Sequence, residues 1–240
     1  MLIGKYNQYN TTYNIILIMI NKIFKKIEFI ILKNSIHSFK KFIEEKFNNY
    51  SKINLQENKI KLESYYNEYI NNVSSPNMAI SLELATFLYT YCKINKCKKI
   101  VDLGSGFSSF VLRLYANDSE KIEVYSVDDD VEWLKKTETF LNEHKLNTDK
   151  IFTLNQFKSL NESNFDLILL DLNFTDVRIQ YIEYVLSLIS ENGILILDDV
   201  HKKDYLSEVL SKLKNTNLKL YDLKPITLDI YGRFSLVVTK

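Results

Sequence analysis

The feature that most constrains the fold is the segment 99–112, Lys-Ile-Val-Asp-Leu-Gly-Ser-Gly-Phe-Ser-Ser-Phe-Val-Leu. It opens with a short apolar run typical of a buried strand and closes with apolar residues at helical spacing. Gly104 and Gly106 lie between the two parts, although the whole chain has only 5 glycines. Glycine this scarce indicates backbone that needs a positive φ or a close approach. A strand, a tight turn and a helix N-terminus leave free N–H groups, which predicts a pocket for an anionic or carboxylate-bearing ligand.

Apolar strand patterns alternate with helical patterns after this segment. The strands are predicted at 122–127, 151–154, 165–170 and 194–197. Three of them end in acids, at Asp128, at Asp171, and at Asp198 with Asp199. Two more strand patterns, 218–223 and 231–238, follow one another without a helix. Such a pair must run antiparallel, because a parallel return needs a long crossover.

The motif Asp-Leu-Gly-Ser-Gly-Phe-Ser-Ser at 102–109 resembles the first motif, acid-x-Gly-x-Gly, of class I S-adenosylmethionine-dependent methyltransferases. A dinucleotide-binding loop would instead carry a third glycine where this chain has Ser109. The C-terminal strand pair also favours the methyltransferases, whose sheet ends in a reversed hairpin. The resemblance implies an α/β, Rossmann-like seven-stranded sheet, mostly parallel with a C-terminal antiparallel hairpin. It also implies an enzyme that uses S-adenosylmethionine as cofactor.

The resemblance also implies which residues contact the cofactor. Asp128 closes a strand roughly 20 residues after the glycine loop, where a carboxylate can accept hydrogen bonds from both ribose hydroxyls. Gln156 stands where the family commonly has an acid on the adenine. The predicted cofactor-binding residues are Asp102, Gly104, Ser105, Gly106, Asp128, Gln156 and Asp171, with Asp171 at the methyl-transfer face.

Asp171, Asp198 and Asp199 are expected to converge above neighbouring strand ends. Three close carboxylates repel one another unless a divalent cation, a bound proton or a base offsets them. Catechol-type and caffeoyl-CoA-type O-methyltransferases bind Mg²⁺ with acids at these places, which makes all three candidate metal ligands. Two departures leave a metal-free site open: Asp199 replaces an Asn, and Thr175 and Asp176 stand where those enzymes keep a lysine. In that case the acids are cofactor-side and helix-capping residues.

Asp171 and His201 are the predicted catalytic residues, with His201 as a general base near the methyl acceptor. His201 could equally be a solvated residue that opens a helix. Methyl transfer depends mainly on alignment of the acceptor with the S–CH₃ bond. We therefore expect transfer to a small molecule, most simply to an oxygen. The alternatives are an NAD-type oxidoreductase and a catalytically silent scaffolding protein.

Composition and charge limit the classes of partner that the chain is expected to bind. The net charge of +1 gives no electrostatic basis for binding nucleic acid. The two cysteines, Cys92 and Cys97, lack the partners of a disulfide framework or a metal site, which favours reduced thiols and a cytoplasmic location.

Residues 1–75 have no proline, and no glycine after Gly4, and are predicted to form a helical extension that caps the substrate side or mediates an interaction. Residues 76–240 are the predicted methyltransferase domain. Within 16–31, isoleucines recur on one helical face, with lysines at 22, 25, 26 and 33 opposite. The apolar run is too short to span a membrane. The helix packs on the core or on a second copy in a homodimer, or it makes a weak membrane-surface contact.

Overall fold

A computed structural model describes residues 3–117 and 121–240, with the backbone alone over 3–17. Seven strands form one sheet in the order β3-β2-β1-β4-β5-β7-β6. Their bounds are β1 Lys99–Leu103, β2 Glu123–Asp128, β3 Ile151–Thr153, β4 Phe165–Leu170, β5 Ile189–Leu197, β6 Lys219–Asp222 and β7 Leu236–Thr239. Only β7 runs antiparallel to its neighbours β5 and β6. The predicted mostly parallel, Rossmann-like sheet with a reversed C-terminal end is confirmed.

Helices cover both faces of this sheet. They are α1 Ile3–Lys33, α2 Phe39–Lys46, α3 Lys52–Asn72, α4 Leu82–Asn95, α5 Phe107–Ala116, α6 Val131–Glu143, α7 Leu154–Ser159, α8 Thr175–Leu188, α9 Lys203–Leu213 and α10 Lys224–Thr227. Within the described ranges, no helical stretch combines the length and the apolar character that a bilayer crossing demands.

Alternate residues of each strand enter two hydrophobic clusters, one on each face, as the two-residue repeat of a strand requires. Ile100 of β1 belongs to the cluster covered by α2 to α6, and Val101 belongs to the cluster covered by α7 to α9. The N-terminal helices share the first of these cores, since Phe42 of α2 and Tyr69 of α3 are fully or almost fully buried in it. Helices α2 and α3 therefore pack as part of the main fold.

The pair Asn192-Gly193 is typical of a left-handed cap at the end of a helix. In the structure α8 instead ends at Leu188, and both residues lie inside β5. A Cβ at Gly193 would overlap the carbonyl oxygen of Phe165 on β4. The glycine therefore permits a close approach of two strands at the point where their register shifts.

A buried polar network joins β1, β2 and α5 beneath the glycine loop. The Asp102 carboxylate accepts hydrogen bonds from the hydroxyls of Ser108 at 2.7 Å and Ser109 at 2.6 Å. Ser126 of β2 donates to Ser109 at 2.7 Å and accepts in turn from the Arg113 guanidinium. Asp102 is completely buried, and its Oδ1 has no hydrogen-bond partner among the described residues. This burial raises the pKa of Asp102 to about 7.

We expect Asp102→Asn to abolish a pH dependence of stability. An Asp near pKa 3.9 in the unfolded chain and about 7 in the folded protein makes folding less favourable as pH rises from 4 to 7, by on the order of 4 kcal/mol. Asparagine keeps the serine contacts and carries no charge. Urea unfolding at pH 5 and pH 8 should show that the free energy of unfolding of the variant, relative to wild type, is higher at pH 8 than at pH 5. Asp204→Asn, a change at an exposed residue, controls for the loss of one charge. If Asp102→Asn raised the free energy of unfolding equally at both pH values, the prediction would be contradicted.

Candidate active site

A cleft of about 480 Å³ opens at the carboxyl ends of β1, β2, β4 and β5. The strand order reverses between β1 and β4, and open α/β sheets bind ligands at such a point. The cleft is lined by Asn77, Met78, Ala79, Gly104, Ser105, Asp128, Asp129, Asp130, Trp133, Asp171, Asn173, Phe174, Arg178, Asp198, Asp199, Lys202 and Arg233. Its size is within the range of small-molecule sites.

The glycine loop forms one wall of the cleft. Gly104 has φ +112°, and a Cβ there would lie 2.5 Å from backbone atoms of Asp171. Its N–H donates to the carbonyl of Val127 at 2.8 Å, which ties the loop to β2. The indole N–H of Trp133 donates to the carbonyl of Ser105 at 2.5 Å. The loop is thus fixed from both sides, and only glycine fits at position 104.

Asp128 lies at the end of β2 beside this loop. One carboxylate oxygen accepts from the backbone N–H of Ser105 at 2.8 Å and from its hydroxyl at 3.1 Å. The other accepts from the N–H of Asp130 at 3.0 Å. Burial raises the pKa of Asp128 to about 6. The side chain is therefore held in one orientation, with acceptor capacity left for a ligand.

The next two acids have different partners. Asp130 caps α6, since its Oδ1 accepts from the backbone N–H groups of Glu132 and Trp133. Asp129 accepts from the amide of Asn173 at 2.7 Å, which links the β2 and β4 sides of the cleft.

Arg178 of α8 lies between the ends of β4 and β5 and is 4% exposed. Its Nη2 lies 2.6 Å from Oδ1 of Asp171 and donates to the carbonyl of Asn173 at 3.0 Å. Its Nη1 lies 3.4 Å from Oδ2 of Asp199, and its Nε donates to the carbonyl of Leu172 at 3.1 Å. The guanidinium therefore offsets the negative charges of Asp171 and Asp199, two of the three clustered acids.

The two acids that end β5 differ in charge balance. Burial, together with the neighbouring Asp199, raises the pKa of Asp198, whose Oδ1 accepts from the Ser235 hydroxyl at 2.7 Å. Burial also acts to raise the pKa of Asp199, but the hydrogen bond from Lys202 and the charge of Arg178 outweigh it and lower that pKa. Asp199 has a left-handed φ of 62°. Asp198 is thus the more basic carboxylate of the pair.

The predicted convergence of Asp171, Asp198 and Asp199 is confirmed, but the donor set does not fit a magnesium site. Arg178 already neutralises Asp171, and Arg178 and Lys202 neutralise Asp199. Over the described ranges, no three His, Cys, Asp or Glu side chains are grouped so as to hold a metal ion. The cation Arg178, supplied by the chain, lies between two of the three acids that are candidate metal ligands.

Four of the predicted site residues, Gly104, Ser105, Asp128 and Asp171, line the cleft, whereas four others do not. Asp102 is buried beneath the loop, and Gly106 lies against Tyr69. The side-chain amide oxygen of Gln156, Oε1, accepts hydrogen bonds from the backbone N–H and the hydroxyl of Thr153 in a capping box at the start of α7. His201 lies beside the cleft, with Nδ1 3.6 Å from Asp199 Oδ1.

The residues of the cleft wall that the sequence reasoning missed include Arg178, Lys202, Arg233 and Asn173. Composition carries a signal for two of them. Among the 31 Lys and Arg residues only three are arginines, at 113, 178 and 233. Each arginine binds carbonyl oxygens with its guanidinium. In a chain so rich in lysine, an arginine indicates a place that needs a planar, multidentate donor.

The fold and cleft agree with comparisons to known proteins. The "Methyltransferase domain" family matches residues 94–229, more than half of the chain. A ribosomal protein L11 methyltransferase of Fusobacterium nucleatum is 25% identical over 129 residues, which cover 53% of this chain and only 40% of that protein.

Two solved structures share the fold at low identity. The O-methyltransferase TomG of Streptomyces achromogenes, solved with SAM, has a TM-score of 0.55 and 13% identity over 79% of this chain and 89% of that one. An O-methyltransferase of Bacillus cereus, solved with SAH, has a TM-score of 0.56 and 16% identity over 83% of this chain and 94% of that one. The chain belongs to the methyltransferase-domain family.

Proposed function

We propose that the enzyme methylates an oxygen of a small-molecule acceptor without a metal ion. One observation carries this proposal: the glycine loop, Asp128 and the more basic Asp198 line a single cleft of about 480 Å³. The names of the two structural neighbours, both O-methyltransferases, support oxygen as the acceptor atom. The ribosomal-protein methyltransferase supports a protein acceptor instead, but it is matched over less than half its length.

The cleft residues fit S-adenosylmethionine by their chemistry. The cofactor carries a positive sulfonium, an amino group and two ribose hydroxyls, all of which suit an acidic wall. Asp128 and Asp129 supply that wall next to the glycine loop. Asp128 is the residue we assign to the ribose hydroxyls, because its orientation is fixed by Ser105 and Asp130. When bound, the cofactor supplies an electrophilic methyl group.

The chain's own residues then have three tasks. The wall around Gly104 and Asp128 orients the nucleoside, which places the acceptor toward the β4 and β5 side. Asp198 receives the proton of the acceptor hydroxyl, because burial raises its pKa and, unlike Asp171 and Asp199, it has no ion pair among the described residues. Arg178 holds Asp171 in place and keeps the acids from repelling one another.

Residues 1–75 form the helical extension in this proposal, and 76–240 form the methyltransferase domain. The first segment is expected to cap the substrate side or to mediate an interaction, and every residue that lines the described cleft lies at position 77 or beyond. Met78 and Phe174 are 68% and 77% exposed and offer apolar contact surface at the cleft. We assign acceptor selection to these two side chains and to Arg233.

The acceptor class is tested by SAH release with matched phenols, anilines and purified ribosomal protein. We expect turnover with a hydroxyl compound. Asp198→Asn should lower kcat on the order of 10²–10⁴-fold and leave SAH affinity unchanged, while the exposed Asp204→Asn should leave both unchanged. Methylation of the ribosomal protein alone would overturn the small-molecule acceptor.

Cofactor affinity should depend on the ionisation of Asp128. Because its pKa is about 6, the carboxylate is ionised above pH 6 and gains a proton below it, which removes acceptor capacity for the ribose hydroxyls. Calorimetry with SAH should show about tenfold weaker binding per pH unit below 6. Asp128→Asn should bind at least about tenfold more weakly at pH 8 and lose the dependence. Glu132→Gln, an exposed change on α6, should retain it.

The positive charge of Arg178 should make a metal ion unnecessary beside Asp171 and Asp199. EDTA or added Mg²⁺ should leave SAH affinity and Tm unchanged. Arg178→Met should destabilise the fold by about 3–5 kcal/mol, because Asp171, whose side chain is only 16% exposed, is left unpaired. The double variant Asp171→Leu with Arg178→Met should recover part of this loss in urea unfolding. A wild-type SAH affinity that rises with Mg²⁺ would contradict the metal-free site.

A further inference from the structure

The C-terminal half of α1, residues 18–33, is attached to the fold along one side only. Phe29 and Leu32 are partly buried and pack against the cluster covered by α7 to α9. Glu28 pairs with Lys214 at the end of α9, with 2.8 Å between Oε1 and Nζ. These contacts fix which face of the helix is directed toward the protein body.

The opposite face of this segment is apolar and uncovered. Isoleucines and a phenylalanine recur on it at intervals of three and four residues, which is the spacing of one helical face. They are between 43% and 67% exposed, at Ile20, Ile23, Phe24, Ile27, Ile30 and Ile31. A contiguous apolar surface of this kind marks an interaction site.

Charge indicates what covers this face. Lys22, Lys26 and Lys33 form one row along the border of the apolar face, and all three are exposed. Among the described residues, none of the three makes an ion pair. The one acid between residues 18 and 33 is Glu28, which Lys214 already neutralises. The segment therefore presents uncompensated positive charge at the edge of an apolar surface.

A second copy of the chain fits this pattern poorly. An antiparallel α1–α1 contact related by a two-fold axis would set each lysine row against the same row of the other copy, and like charges at that border repel. An anionic lipid surface complements both features. Its headgroups neutralise the lysines, and the boundary of the acyl chains accepts the isoleucines.

We propose that the outer face of α1 binds an anionic phospholipid surface, with the helix lying in the plane of the membrane between the bilayer and the protein body. The helix anchors the enzyme at the surface and does not cross the bilayer.

The experiment is co-sedimentation of the full chain with vesicles of phosphatidylcholine alone or mixed with phosphatidylserine. We expect partitioning onto the mixed vesicles that weakens with added salt. Lys22→Gln with Lys26→Gln should reduce this partitioning on the order of tenfold. Ile23→Asn with Ile27→Asn should abolish it.

Ile53→Asn with Ile60→Asn is the matched control, because these two isoleucines are 69% and 64% exposed but lie on α3, where Lys59 beside Ile60 is already paired with Glu83 at 2.8 Å. This control should bind vesicles like wild type, and all variants should keep wild-type SAH affinity. Absence of binding to the mixed vesicles would overturn the proposal. The proposal would also be overturned if vesicle binding were absent and analytical ultracentrifugation showed a dimer. Dissociation of that dimer by Ile23→Asn with Ile27→Asn would assign the apolar face of α1 to the dimer interface.

Discussion

The guanidinium of Arg178 sets the geometry and the charge of the cleft. It contacts two carboxylates and the carbonyl oxygens of Leu172 and Asn173, so the ends of β4 and β5 are held by one side chain. Three acids at one sheet edge would otherwise repel one another or require a cation from solution. Because the cation is part of α8, the acidic cluster is a permanent feature of the fold.

The strand β1 serves two purposes that are separated by a few residues. Asp102 belongs to a buried network that joins β1 to α5 and β2. Gly104 and Ser105, immediately after it, form the wall of the cleft. The acid of the sequence motif therefore supports the loop from below, and the loop presents its backbone to the ligand. A motif residue can thus be essential to the site without lining it.

The sequence predicts the sheet and the acids at its edge because both follow from general rules. Apolar runs indicate buried strands, and parallel strands bring their carboxyl ends together. The sequence does not predict Arg178, because its contact with Asp171 depends on where α8 begins. It also misplaces Gln156, because a side chain that can contact adenine can equally cap its own helix. Local hydrogen bonds and helix register depend on three-dimensional packing, and a sequence pattern carries no information about that packing.

The position of β7 has a consequence for synthesis of the chain. β7 spans Leu236–Thr239, yet it lies between β5 and β6, and Arg233 just before it donates to the carbonyl of Ala79 across the cleft. During synthesis, β5 keeps an unpaired edge and β6 has no partner in the sheet until β7 emerges from the ribosome. Until then the open edge of β5 is a template for aggregation.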